Sequence, residues 1–240
     1  QMLGRAGRPE YDDVGYGWVI CDHADADKYR RLLREGKEIE SRLADDLDAH
    51  LNAEIALGTI SDLDDVMDWL ETTFYYQRAH ADPETYDPEG LRERVRSTLQ
   101  DLVDRGFVTT DSDLAVEATQ LGRLASNYYL RLPTAVRFAD LVDRDRLSVD
   151  AVLDAVAGAA EFDSVSARQD ETDAIDEVLD GADTDLENGH RKVLAILEAS
   201  MDDRVPSGLR SDAWVIRQNA LRLLGALHAF AESFAGPRAA

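Results

Sequence analysis

Leu43-Ala44-Asp45-Asp46-Leu47-Asp48-Ala49-His50-Leu51-Asn52-Ala53-Glu54-Ile55-Ala56-Leu57-Gly58-Thr59-Ile60 sets the frame in which the rest of the chain is read. Leu43, Leu47, Leu51 and Ile55 recur at four-residue steps, so they share one face of a helix. Gly58 supplies the stop, because glycine takes the left-handed backbone that ends helices at little cost. Downstream, Ser61 and Asp62 cap a second helix carrying Val66, Trp69, Leu70, Thr73 and Phe74. Tyr75-Tyr76 ends its apolar face, and Asp82-Pro83-Glu84 breaks it. A third helix is predicted from about Pro88 to Arg105, with Leu91, Val95, Leu99, Leu102 and Val103 inward and a stop at Gly106. Phe107 to Thr110 and Leu114 to Glu117 flank Asp111-Ser112-Asp113, a β-hairpin signal. Three helices and a hairpin make a winged helix.

The third helix holds Arg92, Arg94 and Arg96, but Glu89, Glu93, Asp101 and Asp104 surround them. This composition suits a hinge or brace rather than a reader of base sequence. Leu121 to Tyr129 follows as a connecting helix. After Pro133 the chain reads as helical throughout, over roughly 134–144, 148–160, 166–180, 187–202 and 211–235. Gly181 and Gly189 bracket an acidic loop. Arg168 and Glu171 read as a structural pair at a helix start.

Upstream, Asp25 to Gly36 reads as a charged helix, and Gly15 to Cys21 as a short strand behind a glycine turn. The first twelve residues are Q-M-L-G-R-A-G-R-P-E-Y-D. Arg5 and Arg8, three apart on a glycine-freed turn, can reach one anion, and their planar forks suit phosphate oxygens better than lysine would. The last long helix buries Ile216, Ala220, Leu223, Leu224, Leu227 and Phe230. Trp214, Gln218, Arg222 and Gly225 fall on another face, with Arg217 and Asn219 alongside. A tryptophan, a glutamine and an arginine one turn apart can stack on bases and bond their edges.

The chain has 240 residues and a net charge of −23. Asp outnumbers Glu 33 to 16, and Arg outnumbers Lys 23 to 3. An aspartate-rich, lysine-poor surface suits molar salt, where self-repulsion is screened, and points to a halophilic source. In such salt the electrostatic part of nucleic-acid binding is weak for any protein, so acidity does not exclude a nucleic-acid partner. Cys21 is the single cysteine, which excludes a disulfide framework and a cysteine zinc site. The five histidines show no ligand spacing. The sequence has no run of the ~20 apolar residues that span a membrane and no signal pattern, which reads as a cytoplasmic protein.

The opening string resembles motif VI of the Ski-two-like branch of superfamily 2 helicases. Asp46 to Ile60 and Thr119 to Tyr129 resemble two further recurrent strings of that family. Glu161 to Glu171 resembles the segment before the long helices of its Sec-sixty-three-like bundle, and Ser211 to Leu227 its ratchet helix. The resemblance covers essentially the whole chain. It implies a mainly α fold of three parts: residues 1–25 as the end of a second RecA-like domain, 26–130 as linker helix and winged helix, and 131–240 as helical ratchet bundle. In that frame Gln1, Arg5 and Arg8 face ATP and its Mg2+ in the parent enzyme, with Arg8 the arginine finger. Arg222, Gln218, Trp214, Arg217 and Asn219 lie along a single strand, with Arg222 the surest contact.

The resemblance further implies the C-terminal fragment of an ATP-dependent 3′–5′ helicase, whose partners are single-stranded DNA and the missing RecA-like domains. DNA repair or recombination is the expected setting, and RNA the alternative substrate. A non-catalytic protein-interaction or single-strand-binding module is the rival reading. No G-x-x-x-x-G-K-[ST] loop and no D-E-x-H-type string occurs in the sequence, so the polypeptide alone is expected to be inactive as an ATPase. Residues 1 to about 25 are expected to lack the sheet to which their strand belongs.

Overall fold

The computed structural model describes residues 7, 11–36, 39–87, 89–111, 115–144, 146–180 and 185–234. Gln1, Arg5 and Arg8 lie outside the described residues. The chain divides into two units, residues 1–41 and 42–240.

In the first unit, α1 spans Ala26–Glu35, behind a 3-10 turn at His23–Asp25. Trp18 and Ile20 are almost fully exposed, and no described side chain before residue 36 is buried. The strand expected over Gly15 to Cys21 is not formed. A strand exists only through hydrogen bonds to a neighbour, and the only strand ladder among the described residues lies elsewhere.

In the second unit, α2 covers Leu47–Leu57 and buries Leu47, Leu51 and Ile55. Gly58, at φ +77°, closes it, and the Gly58 and Thr59 amides donate back to Ile55 and Glu54 at 3.0 Å. Asp62 caps α3 (Leu63–Glu71), accepting from the Asp64 and Asp65 amides at 2.8 and 2.9 Å. The second predicted helix is in fact two. The Thr73 hydroxyl accepts from the Tyr76 amide and starts α4 (Phe74–Ala81), so a hydroxyl cap competes with helix continuation. Phe74, expected inward, is consequently half-exposed. A single turn, α5 (Pro83–Tyr86), precedes α6 (Leu91–Asp104), which starts three residues later than predicted. β1 (Val108–Thr110) and β2 (Val116–Ala118) then pair antiparallel, with Thr109 opposite Glu117.

Thr119 caps α7 (Gln120–Asn127), its hydroxyl accepting from the Gly122 amide at 3.2 Å. Here the two recurrent strings of the sequence meet. Buried Asn52 of α2 donates to the Gly122 carbonyl at 3.0 Å. A β-carbon on Gly122 would stand 2.2 Å from the Phe107 carbonyl oxygen, so only glycine allows this approach.

Among the described residues five further α-helices follow: α8 (Leu132–Val142), α9 (Val149–Ala157), α10 (Thr172–Val178), α11 (Asn188–Met201) and α12 (Arg210–Phe234). α10 is shorter than the predicted 166–180 because Arg168 to Glu171 forms a separate capped turn. Buried side chains run as one cluster from Leu47 through Phe107 and Phe138 to Phe230, so the winged helix and the bundle share a core. Among the described residues no helix is long and apolar enough to cross a membrane.

Candidate nucleic-acid interface on the last helix

Ile216, Ala220, Leu223, Leu227 and Phe230 of α12 are buried, and Leu224 is half-buried at their edge. Fixing this face against α8 and α11 turns the opposite one outward, since residues three and four apart share a side of the helix. Trp214, Gln218, Leu221 and Gly225 form that outer stripe, and all are exposed. Trp214 keeps 70% of its surface, so it is not part of the core. A β-carbon on Gly225 would meet nothing within 4 Å, so the stripe is open at that turn.

The remaining predicted contacts separate. Arg217 is exposed and borders the stripe on one side. Arg222 borders it on the other, but its Nη1 donates to the Tyr128 and Tyr129 carbonyls at 2.9 and 3.4 Å. Its Nη2 stands 3.8 Å from a Glu161 carboxylate oxygen. Asn219 is half-buried. At ~100° per residue it lies roughly 140° around the helix from Trp214, away from the stripe.

The start of α12 is fixed by a buried charge network that the sequence reading only partly found. Arg168 and Glu171 form the expected pair: the Arg168 amide donates to Glu171 at 2.7 Å, and its guanidinium also donates to the same carboxylate. The centre of the network is Lys192 of α11, whose ammonium donates to both Glu171 oxygens at 2.9 and 2.8 Å and to Asp212 at 2.6 Å. Lys192 and Glu171 are each 2% exposed at the side chain. Burial pushes the Glu171 carboxyl upward, but hydrogen bonds from Arg168 and Lys192 outweigh it and hold the group at about 2. The Lys192 hydrogen bond likewise lowers Asp212, against the upward push of burial. The signal for Lys192 was available: in a chain with 3 lysines, this one sits inside the apolar helix R-K-V-L-A-I-L.

Among the described residues no group of three or more His, Cys, Asp or Glu is placed to hold a metal ion.

Comparison with known proteins extends this picture. Residues 118–240 match the family model described as the Sec63 Brl domain, and residues 40–119 match one described as a winged helix-turn-helix domain. Similar relatives include activating signal cointegrator 1 complex subunit 3 of Rattus norvegicus, 31% identical over 247 residues covering 95% of this chain and 11% of the relative. The Gallus gallus protein of the same name is 32% identical over the same shares. DExH-box ATP-dependent RNA helicase DExH14 of Arabidopsis thaliana is 34% identical over 199 residues, 79% of this chain and 9% of the relative. The chain thus spans about a tenth of the length of these curated relatives.

Proposed function

Because the chain belongs to the C-terminal region of the Ski-two-like superfamily 2 helicases, a winged helix followed by a Sec63 Brl domain, we propose that it guides a single nucleic-acid strand for an ATP-driven 3′–5′ helicase. The observation that carries this reading is the outer stripe of α12, where exposed Trp214 stands one turn from Gln218 and two from Leu221. An exposed indole stacks on any base, and stacking survives the salt that removes phosphate attraction. Gly225 leaves room for a strand to approach the helix. Arg217 is the freer of the two flanking arginines to meet a phosphate, while Arg222 holds the turn after α7.

The motor chemistry belongs to the same proposal. Gln1, Arg5 and Arg8 would face ATP and Mg2+ across a RecA-like cleft in the parent enzyme, and Arg8 would stabilise charge on the transferred phosphoryl group. The winged helix would brace the bundle against that motor.

The sequence reading favoured DNA repair or recombination, whereas the Arabidopsis relative carries RNA helicase in its name. Titrating matched oligothymidylate and oligouridylate strands in molar salt decides between the substrates. Trp214→Ala should weaken binding to whichever strand is held. A second reading rests on Leu221 and Val215, exposed at 62% and 55% beside Trp214: such an apolar patch also suits protein docking. Strand binding unchanged in Trp214→Ala would favour docking. The halophilic reading belongs here too, and thermal stability that rises between dilute and molar salt supports it.

A further inference from the structure

Four non-glycine residues have positive φ among the described residues: Asp87, Asp180, Asp203 and Tyr129. Aspartate tolerates the left-handed region through its short polar side chain. A tyrosine there is strained, and Tyr129 sits at φ +50°. Its position explains the geometry. The Leu130 amide donates to Ala125 and the Tyr129 amide to Ser126, at 2.9 and 3.1 Å, closing the end of α7. The same closure ends α2 and α6 with Gly58 and Gly106, at φ +77° and +76°. Where those two helices use the residue that fits, α7 ends on a large ring, and that ring is 88% exposed.

Two hydrogen bonds locate it. Gln120, at the start of α7, donates to the Ser233 carbonyl near the end of α12, at 3.0 Å. At the other end of α7, Arg222 donates to the carbonyls of Tyr128 and Tyr129. α7 therefore runs antiparallel to α12, and Tyr129, just past its end, stands at the middle of α12 beside Arg222, next in sequence to Leu221 of the outer stripe. Backbone strain that persists at an exposed position calls for a role outside the fold. An exposed ring contributes little to stability, since it buries almost no apolar surface.

We propose that Tyr129 is a second stacking platform for the single strand, and that Arg222 is a positioning residue that presents it. This inference rests on the strand-binding reading of α12 and extends it to a second element of the fold. Arg222 acts through the two carbonyls: its guanidinium fixes the turn, and the turn aims the ring. The ligand is the face of a nucleobase, which a tyrosine accepts without regard to base identity.

The decisive variant is Tyr129→Gly in the 240-residue chain, because glycine suits the backbone while deleting the ring. Thermal stability should hold or rise, and affinity for a fluorescein-labelled oligothymidylate or oligouridylate should fall at least about fivefold. Tyr129→Phe should bind as the wild type does. A strand carrying 5-iodouracil should crosslink to residue 129 on irradiation, and Arg222→Ala should reduce that crosslink. If Tyr129→Gly binds normally while Trp214→Ala binds weakly, the proposal fails and the reading of α12 stands. If the wild-type chain holds neither strand, both fail together.

Discussion

α6 and α12 are both long amphipathic helices, and each carries three arginines, yet they turn opposite kinds of surface to solvent. On α6 the guanidiniums close on the protein itself. Arg92 donates to Asp64 at 2.9 Å, Arg96 to Glu93 at 3.2 Å, and Arg94 to the Tyr75 hydroxyl and the Tyr86 and Asp87 carbonyls. On α12 the outward face is led by Trp214 and Leu221, large apolar groups left in water, with the amide of Gln218 between them. An arginine count therefore says little about an interface: on α12, too, Arg210 and Arg222 donate to backbone carbonyls, so the difference lies in exposed Trp214 and Leu221. In the proposed function the winged helix is a brace and the last helix the surface that meets a strand.

The largest expected effect concerns how the two helices are anchored at their starts. α12 is held through half-exposed Asp212 by buried Lys192, itself paired with buried Glu171, whereas α6 is tied at its start by the exposed pair Arg92–Asp64. Lys192→Met leaves Glu171 buried with one partner fewer. Removing one member of a buried pair costs about 3–5 kcal/mol, which urea unfolding measures directly. A loss below about 1 kcal/mol would mean that the network is as dispensable as a surface pair, and the contrast in anchoring would disappear.

The same network predicts a dependence on acid. The Glu171 carboxyl is lowered from 4.5 to about 2 in the folded chain. Its contribution to stability is complete above the unfolded value and is lost as pH falls through the folded one. Unfolding free energy should decline across roughly pH 5 to pH 2, and the decline should be shallower in Lys192→Met. An identical acid profile in both proteins would place the sensitivity elsewhere.

On the outer stripe, Trp214→Ala should weaken strand binding by about 1–3 kcal/mol, the measured range for one base stacked on one aromatic. Stability should change by less than about 0.5 kcal/mol, because the side chain is mostly exposed. The two readouts need to be taken together. Weak binding with intact folding sharpens the contrast with α6; unfolding would return Trp214 to a structural role.

Much of this arrangement was legible in the sequence, for physical reasons that also mark where it stopped. The four-residue steps of Leu47, Leu51 and Ile55 and the stop at Gly58 fix α2 locally, and the face of α12 follows from the same periodicity. Capping chemistry was legible at Asp62 and was missed at Thr73, where a hydroxyl interrupts what looks like one apolar run. The network around Lys192 joins residues 20 and 21 positions apart, so no local pattern contains it. Arg222 shows the limit most clearly. Its spacing places it beside the stripe, but only the fold shows its guanidinium donating to the Tyr128 and Tyr129 carbonyls. Tyr129 closes one of the recurrent strings, but its strained backbone has no sequence signal, because a φ angle is set by the fold.

The smallest expected effect is the one that tests the comparison from the other side. Arg92 and Arg96 make exposed ion pairs, with side chains 52% and 59% accessible. Pairs of this kind are worth about 0–1 kcal/mol, since water and salt screen them and ordering two long side chains costs entropy. The double variant Arg92→Ala with Arg96→Ala should therefore unfold within about 1 kcal/mol of the wild type. Its strand affinity in molar salt should match the wild type, because both guanidiniums are already engaged and phosphate attraction is screened there. Arg94 is excluded from this variant, since its three partners tie α6 to Tyr75 and to the Tyr86–Asp87 turn. If the double variant loses as much binding as Trp214→Ala, the arginines of α6 release their carboxylates to a strand, and the winged helix becomes a second reader rather than a brace.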